Sequence, residues 1–374
     1  MMERTYTKET KLVQSGNRRD KRTGAVNAPI YMSTAFEHTG VGESTGYDYA
    51  RTGNPTREVL EETIAELEGG THGFACSSGM AAIQAVLSLF SQGDEIIASV
   101  DLYGGTYRLF RQYWPQWGVD VRYVDPRDLQ AVEQAIEKNT KALFIETPTN
   151  PLMQEADLDA LSQLAKEHDL LMIVDNTFYT PLLQRPIEFG ADIVIHSATK
   201  YLGGHNDVVA GLVVTDDDVL GEHLFNIQNG IGMTLGAFDS WLLVRGMKTL
   251  ALRMEKHQQN AHAVWEMLKK HSLVTEVLYP GKGGMLSFKV QDEKLVDPLL
   301  RHLRLVTFAE SLGGVESLMT YPSVQTHADI PENVRIKNGV TNELMRLSCG
   351  IENHEDIIAD IEWALQEAER KTQV

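Results

Sequence analysis

The chain has 374 residues, 43% of them hydrophobic, enough for a packed core, and at about 100–200 residues per domain it predicts two or three domains. A formal charge of −18 argues against nucleic-acid backbones and anionic membrane surfaces as partners, yet leaves room for a small anion held by local arginines. Two cysteines, Cys76 and Cys349, give neither a disulfide framework nor a metal-ligand spacing. Residues 1–8 lack an apolar leader core, and no apolar run approaches the ~20 residues of a membrane span. A reduced, cytoplasmic protein with no metal is the expectation.

Residues 1–52 are polar and strewn with Gly16, Gly24, Pro29, Gly40, Gly42 and Gly46, the composition of an extended arm. Asn54-Pro55-Thr56 then opens a helix, because proline suits a first turn; Leu60, Ile64 and Leu67 share one face of it, and Gly69-Gly70 stops it. Cys76-Ser77-Ser78-Gly79-Met80 leads into a helical run at 81–87, and a small-residue turn before a helix offers N–H groups to an anion. Strand 96–98 precedes a helical stretch at 106–113. Strands at 119–124 and 142–146 flank a helix over 126–138. Leu158, Leu161, Leu164 and Ala165 form a helical stripe ahead of the buried strand 170–175, and a further apolar strand covers 192–196. Such alternation predicts an α/β fold, a mostly parallel sheet sandwiched by helices. Beyond about residue 240 the pattern changes to long helices at 241–268 and 354–370 around short strands at 284–290 and 344–349, a smaller α+β domain. The expected plan is an arm at 1–52, an α/β domain at 53–242 and an α+β domain at 243–374.

Three places on this plan carry chemistry. Lys200 follows an apolar strand and sits among Ser197, Thr199, Gly203 and Gly204. Removal from water favours the neutral amine, which can condense with an aldehyde cofactor; the plain alternative is a surface lysine at a strand end. Asp175 ends another buried strand, where parallel sheets place ligands, and a carboxylate there suits a protonated pyridine nitrogen. Its plain alternative is capping, since Asn176 and Thr177 follow. Ser77 to Met80 forms the third place, a candidate phosphate site.

Longer motifs sharpen this. They are Tyr49-Ala50-Arg51-Thr52-Gly53-Asn54-Pro55-Thr56, Ser77-Ser78-Gly79-Met80-Ala81-Ala82, Asp101-Leu102-Tyr103-Gly104-Gly105-Thr106 and Glu146-Thr147-Pro148-Thr149-Asn150-Pro151. Asp175-Asn176-Thr177-Phe178, the run His196 to Gly204, Glu310-Ser311-Leu312-Gly313-Gly314 and the run Arg346 to Glu352 complete the set. On these residues the chain resembles the Cys/Met-metabolism family of pyridoxal-phosphate enzymes over nearly its whole length.

The resemblance implies an aspartate-aminotransferase-like (fold type I) architecture and pyridoxal 5'-phosphate as cofactor. Lys200 is then similar to the family's cofactor-binding lysine, Asp175 to the partner of the ring nitrogen, and Tyr103 to the tyrosine stacked on the ring. Gly79 and Met80 match backbone phosphate donors, and Ser197 and Thr199 match hydroxyl donors. Tyr49 and Arg51 match residues that reach the phosphate from the neighbouring subunit of a homotetramer, a dimer of active dimers. Tyr49 is also near substrate in that pattern. Arg346, with Asn150 and the Ser311 backbone, resembles the grip on the substrate α-carboxylate, a task for a planar guanidinium fork. The alternative for Arg346 is pairing with a structural carboxylate such as Glu352.

Within the family the implied reaction is γ-replacement on an O-acyl-L-homoserine, giving cystathionine from L-cysteine or homocysteine from sulfide in methionine and transsulfuration metabolism. Cleavage of cystathionine, by β- or γ-chemistry, is the alternative. Glu310, polar at the pocket edge, favours γ-chemistry, and Gly105 stands where methionine-cleaving members carry cysteine. The loop at 279–285 is shorter than in most members, resembling a subgroup that makes both products.

Overall fold

The structure is a computed structural model that describes residues 6–372. Residues 1–5, part of the stretch read for a leader, lie outside the described residues. The chain divides into two compact units, each built from two segments. Unit 1 takes the chain up to Ser91 together with Leu171–Ala251, and unit 2 takes Gln92–Leu170 together with the chain from Leu252 onward.

In chain order the first strands are β1 (His72–Cys76), β2 (Glu95–Ser99), β3 (Asp120–Val124), β4 (Thr140–Glu146), β5 (Leu171–Asp175), β6 (Ile193–Ser197) and β7 (Gly211–Thr215). They are followed by β8 (Val274–Leu278), β9 (Met285–Val290), β10 (Thr307–Phe308), β11 (Leu318–Thr320) and β12 (Leu344–Ser348).

Unit 1 holds β1, β7, β6 and β5 side by side in that order. β5 and β6 are parallel, whereas β7 runs antiparallel to both of its neighbours. The register puts Cys76 and Ser197 on either side of Gly211, and Asp175 opposite Ile195. Three strands therefore finish at one edge, the end of an α/β sheet where ligands bind. The helix Pro55–Glu68 forms for the reasons its sequence suggests. Asn54 caps it by accepting from the Thr56 and Arg57 N–H groups, Pro55 fills the first turn, and Gly69 ends it at φ +84°. Leu60, Ile64 and Leu67 are fully buried, each contributing about 1.5–3 kcal/mol of burial energy.

Two features of unit 1 differ from the sequence expectation. Within the arm, Lys8–Gln14 is helical rather than extended. Seven residues are too few for a stable isolated helix, so packing decides: Leu12 is buried, and Lys248 Nζ donates to Val13 O at 2.9 Å and Ser15 O at 2.7 Å. The expected helix over 241–268 is two helices, Ala237–Met247 and Leu250–Leu268. The break falls at Lys248-Thr249, where the lysine reaches the arm and the Thr249 hydroxyl bonds Gly246 O at 3.1 Å.

Unit 2 holds two groups of strands. β2 runs parallel to both β3 and β4. A second sheet has the order β10-β11-β12-β9-β8 and packs with the helices Val296–His302 and His354–Thr372 around Leu286, Phe288, Met345, Leu347, Ile357 and Ile361. Side chains alternate along a strand, so Met345 and Leu347 enter this core while Arg346 between them takes the other face. Its register partners there are Ser287 on β9 and Thr320 on β11.

Candidate active site

Unit 1 carries the candidate cofactor cradle. Ser78, in extended conformation, caps the helix Gly79–Leu87 by accepting the Ala81 N–H at 3.0 Å. That leaves the first-turn N–H groups of Gly79 and Met80 outside the helical ladder, at the positive end of the dipole. A side chain at Gly79 would collide with Ser197, since an added Cβ would lie 2.8 Å from the Ser197 Cβ. Glycine thus lets the helix start and the end of β6 share one small space. Thr199 is tied to the Ala210 peptide, its hydroxyl 3.1 Å from Ala210 N and 3.2 Å from Ala210 O. Lys200 sits half-buried in the turn after β6, its N–H donating to Ser197 O at 3.2 Å.

Asp175 ends β5 with part of its surface open. Its Oδ1 accepts from Thr177 N at 3.0 Å and from the Thr177 hydroxyl at 2.5 Å. The same hydroxyl accepts the Ser197 N–H at 2.8 Å, which ties the ends of β5 and β6 together. Burial holds the Asp175 pKa above the usual carboxylate range; the Thr177 hydrogen bonds and the nearby His196 act the other way. A carboxylate so placed gains from a cationic partner, which a protonated pyridine nitrogen is. Helix start, hydroxyls, lysine and carboxylate therefore fit pyridoxal phosphate in kind.

Tyr49 and Arg51 lie in the exposed arm, with the Arg51 guanidinium 5.4 Å from the Tyr49 ring centroid. Arg51 Nε donates to Asn229 Oδ1 at 3.2 Å, on the helix Asp218–Ile231, so Arg51 meets the Tyr49 ring and that helix. Arg57 holds this segment in place. It is 2% exposed and donates through Nη1 to Ala50 O at 2.7 Å, through Nη2 to Arg51 O at 3.0 Å, and through Nε to Glu61 Oε1 at 3.2 Å.

Unit 2 carries the candidate carboxylate grip. Arg346, 1% exposed, donates through Nη1 to Asn150 Oδ1 at 2.7 Å and through Nη2 to both Ser311 O and Thr320 Oγ1 at 3.0 Å. The alternative partner Glu352 is occupied elsewhere, by Ser317 N at 2.7 Å and the Ser317 hydroxyl at 2.9 Å. Ser311 adopts φ +103°, a costly conformation for a residue with a side chain, and so turns its carbonyl toward the guanidinium. Tyr103 is 39% exposed. Burial first, then the exposed Glu310 carboxylate, raise its phenol pKa, opposed by Arg108 and Arg346. The short loop is closed by the Tyr279 hydroxyl donating to Gly283 O at 3.0 Å.

Sequence reasoning missed Thr177, Arg57 and Glu146 as supports. Glu146 accepts the Tyr103 N–H through Oε2 and the Asn150 N–H through Oε1, both at 3.0 Å, so one buried carboxylate seats both residues. Glu146 and Thr177 act on backbone groups distant in sequence, Tyr103 N and Ser197 N, and their only signal was a place inside the quoted motifs. Arg57 follows its motif by one residue and acts on the nearby Ala50 and Arg51 carbonyls.

A family model described as Cys/Met metabolism PLP-dependent enzyme matches residues 9–366. The chain is 61% identical over 357 residues to a cystathionine gamma-synthase/O-acetylhomoserine (thiol)-lyase of Bacillus subtilis (strain 168), covering 96% of each chain. Among solved structures it resembles the cystathionine gamma synthase of Xanthomonas oryzae pv. oryzae in complex with cystathionine, with TM-score 0.96, 41% identity, and 98% and 100% of the two chains covered. It also resembles the cystathionine gamma-lyase of Lactobacillus plantarum complexed with L-serine, with TM-score 0.95, 47% identity, and 97% and 100% covered. The chain belongs to the Cys/Met metabolism PLP-dependent enzymes and has their aspartate-aminotransferase-like, fold type I architecture.

Proposed function

We propose that this enzyme replaces the acyl-oxygen substituent at Cγ of an O-acyl-L-homoserine by the sulfur of L-cysteine, giving cystathionine, or of sulfide, giving homocysteine. The observation that carries this reading is the 61% identity, over 96% of both chains, with a relative named for both activities. Pyridoxal phosphate, when bound, supplies an electron sink for the pair left by a lost proton. Gly79 and Met80 N–H groups, with the Ser197 and Thr199 hydroxyls, would hold its phosphate, and Asp175 its ring nitrogen. Lys200 would anchor it covalently and take the proton from the substrate Cα as general base. Arg346, set by Asn150 and Ser311, binds the α-carboxylate through both oxygens. Tyr103 would stack on the ring and, with its pKa raised, keep its phenolic proton at neutral pH. γ-Replacement also needs a proton removed from Cβ before the acyl oxygen departs from Cγ and sulfur bonds there. Cleavage of cystathionine at Cβ needs only the first proton.

We further propose a homotetramer of active dimers in the cytoplasm, with Tyr49 and Arg51 supplied to the neighbouring subunit. In support, the arm exposes Val26, Met32 and Val41, apolar side chains that an oligomer would cover. Arm residues 1–52 then form a functional division of their own, ahead of the cofactor domain at 53–242 and the C-terminal domain at 243–374. Lyase activity is the second reading, favoured by the resemblance to the Lactobacillus plantarum gamma-lyase.

Mass spectrometry of products decides between them. One tube holds purified enzyme with O-acetyl-L-homoserine and L-cysteine, and a second holds L-cystathionine alone. Cystathionine made in the first and persisting in the second supports γ-replacement. Cystathionine consumed in the second, with none made in the first, would make the protein a lyase. Parallel tubes with sulfide, and with succinyl or phosphoryl homoserine, identify the nucleophile and acyl group.

A further inference from the structure

His327 has no part in the roles described so far. It lies in unit 2 between β11 and β12, 1% exposed, where a ring with two polar nitrogens needs two partners. Its Nε2 is 3.0 Å from Asn150 O, and its Nδ1 is 2.9 Å from the Thr326 hydroxyl. A carbonyl only accepts, so Nε2 carries the hydrogen and Nδ1 accepts from Thr326. Burial, reinforced by the positive charge of Arg346, pushes the His327 pKa down to about 4, so the ring is neutral at physiological pH. The turn that carries it is packed without slack against the residue after Tyr103, since a Cβ on Gly104 would lie 1.9 Å from Thr326 O.

Asn150 is thus held at three points. Glu146 accepts its N–H, His327 donates to its carbonyl, and its side-chain oxygen takes Arg346 Nη1 at 2.7 Å. Asn150 is 4% exposed, so freeing its carbonyl would strand a buried acceptor and let the side chain turn. We propose that His327 is a positioning residue for the substrate carboxylate: by fixing the Asn150 peptide, it fixes the plane of the Arg346 guanidinium. This rests on the reading of Arg346 as the carboxylate grip.

The test uses holoenzyme variants. His327→Leu removes both hydrogen bonds, His327→Gln places an amide nitrogen near the Nε2 position, and His327→Asn places one near Nδ1. Arg346→Lys serves as control. Kinetics with O-acetyl-L-homoserine and cysteine are paired with calorimetric titration of L-homoserine and of its methyl ester, which lacks the carboxylate charge. The expected result for H327L is a rise in KM for the amino acid of at least about tenfold and a smaller preference for homoserine over the ester. H327Q should restore most of both and H327N little, with cofactor affinity equal throughout. Equal behaviour of H327Q, H327N and H327L would overturn the positioning role, as would an unchanged homoserine-to-ester ratio in H327L. If R346K also leaves KM and the ratio unchanged, the grip reading fails first and takes this inference with it. Should H327L fail to fold, H327Q against H327N decides the point alone.

Discussion

Replacing Arg346 by lysine tests the carboxylate grip most directly. The arginine meets Asn150, Ser311 and Thr320 through two nitrogens, and in the proposed reading its planar fork also meets the substrate carboxylate. Lysine keeps the charge but has one nitrogen, so it cannot hold those anchors and meet both carboxylate oxygens together. A hydrogen bond to a charged group contributes about 1.5–3 kcal/mol, so losing one of two to the carboxylate costs about 2 kcal/mol, or roughly 30-fold in binding. The assay is steady-state turnover of O-acetyl-L-homoserine at saturating cysteine, with cofactor affinity followed by equilibrium dialysis. KM should rise roughly 30-fold while cofactor affinity holds, because Arg346 is not among the residues proposed to hold the cofactor. A KM change below about threefold in a fully loaded enzyme would refute the reasoning, since the lost interaction would then not be made in the bound state.

Lys200→Ala should abolish turnover and remove the visible absorption of the bound cofactor; retention of that band would count against covalent attachment at this position. Arg51→Ala should raise the dissociation constant for cofactor, and heterodimers of this variant with Lys200→Ala should regain activity after subunit exchange. No recovery in verified heterodimers would argue that each site is built from one chain. Asp175 carries a pH prediction. Its pKa is raised by burial in the folded protein, so its contribution to stability is present below its unfolded pKa and is lost as pH rises through the folded value. Apoprotein of Asp175→Asn should therefore lose less thermal stability than wild-type apoprotein as pH rises from the ordinary carboxylate range towards neutrality, and cofactor should close that gap in wild type. Parallel melting curves for the two apoproteins would refute it.

Much of the candidate site is legible in sequence because cofactor chemistry needs particular side chains in particular order. Asp175 ends β5, Lys200 sits in the turn that follows β6, and the Ser78-Gly79 turn begins a helix, all of which periodicity and turn residues reveal. Arg346 was legible as chemistry, and strand alternation explains why it faces away from the core that takes Met345 and Leu347. What remained hidden is held by tertiary contact. β1 reads His-Gly-Phe-Ala-Cys, without a β-branched residue, and is a strand because it pairs with β7. The break after Met247 depends on a lysine reaching back to residues 13–17. The two units interleave along the chain, and no local composition marks the crossings at Ser91, Leu170 and Ala251. Glu146 and Thr177 serve backbone groups, and a backbone group leaves no letter in the sequence.

The Arg57 clamp has a bearing on how this enzyme can change. It grips Ala50 and Arg51 by their carbonyl oxygens, which every amino acid possesses. The location of position 51 is therefore inherited from residue 57, while its side chain is left open to substitution. Variants with lysine, histidine or glutamine at 51 should present their new head groups from the same place. On the role proposed for Arg51, position 51 is then a place at which the contact to the cofactor phosphate can be retuned without rebuilding the fold.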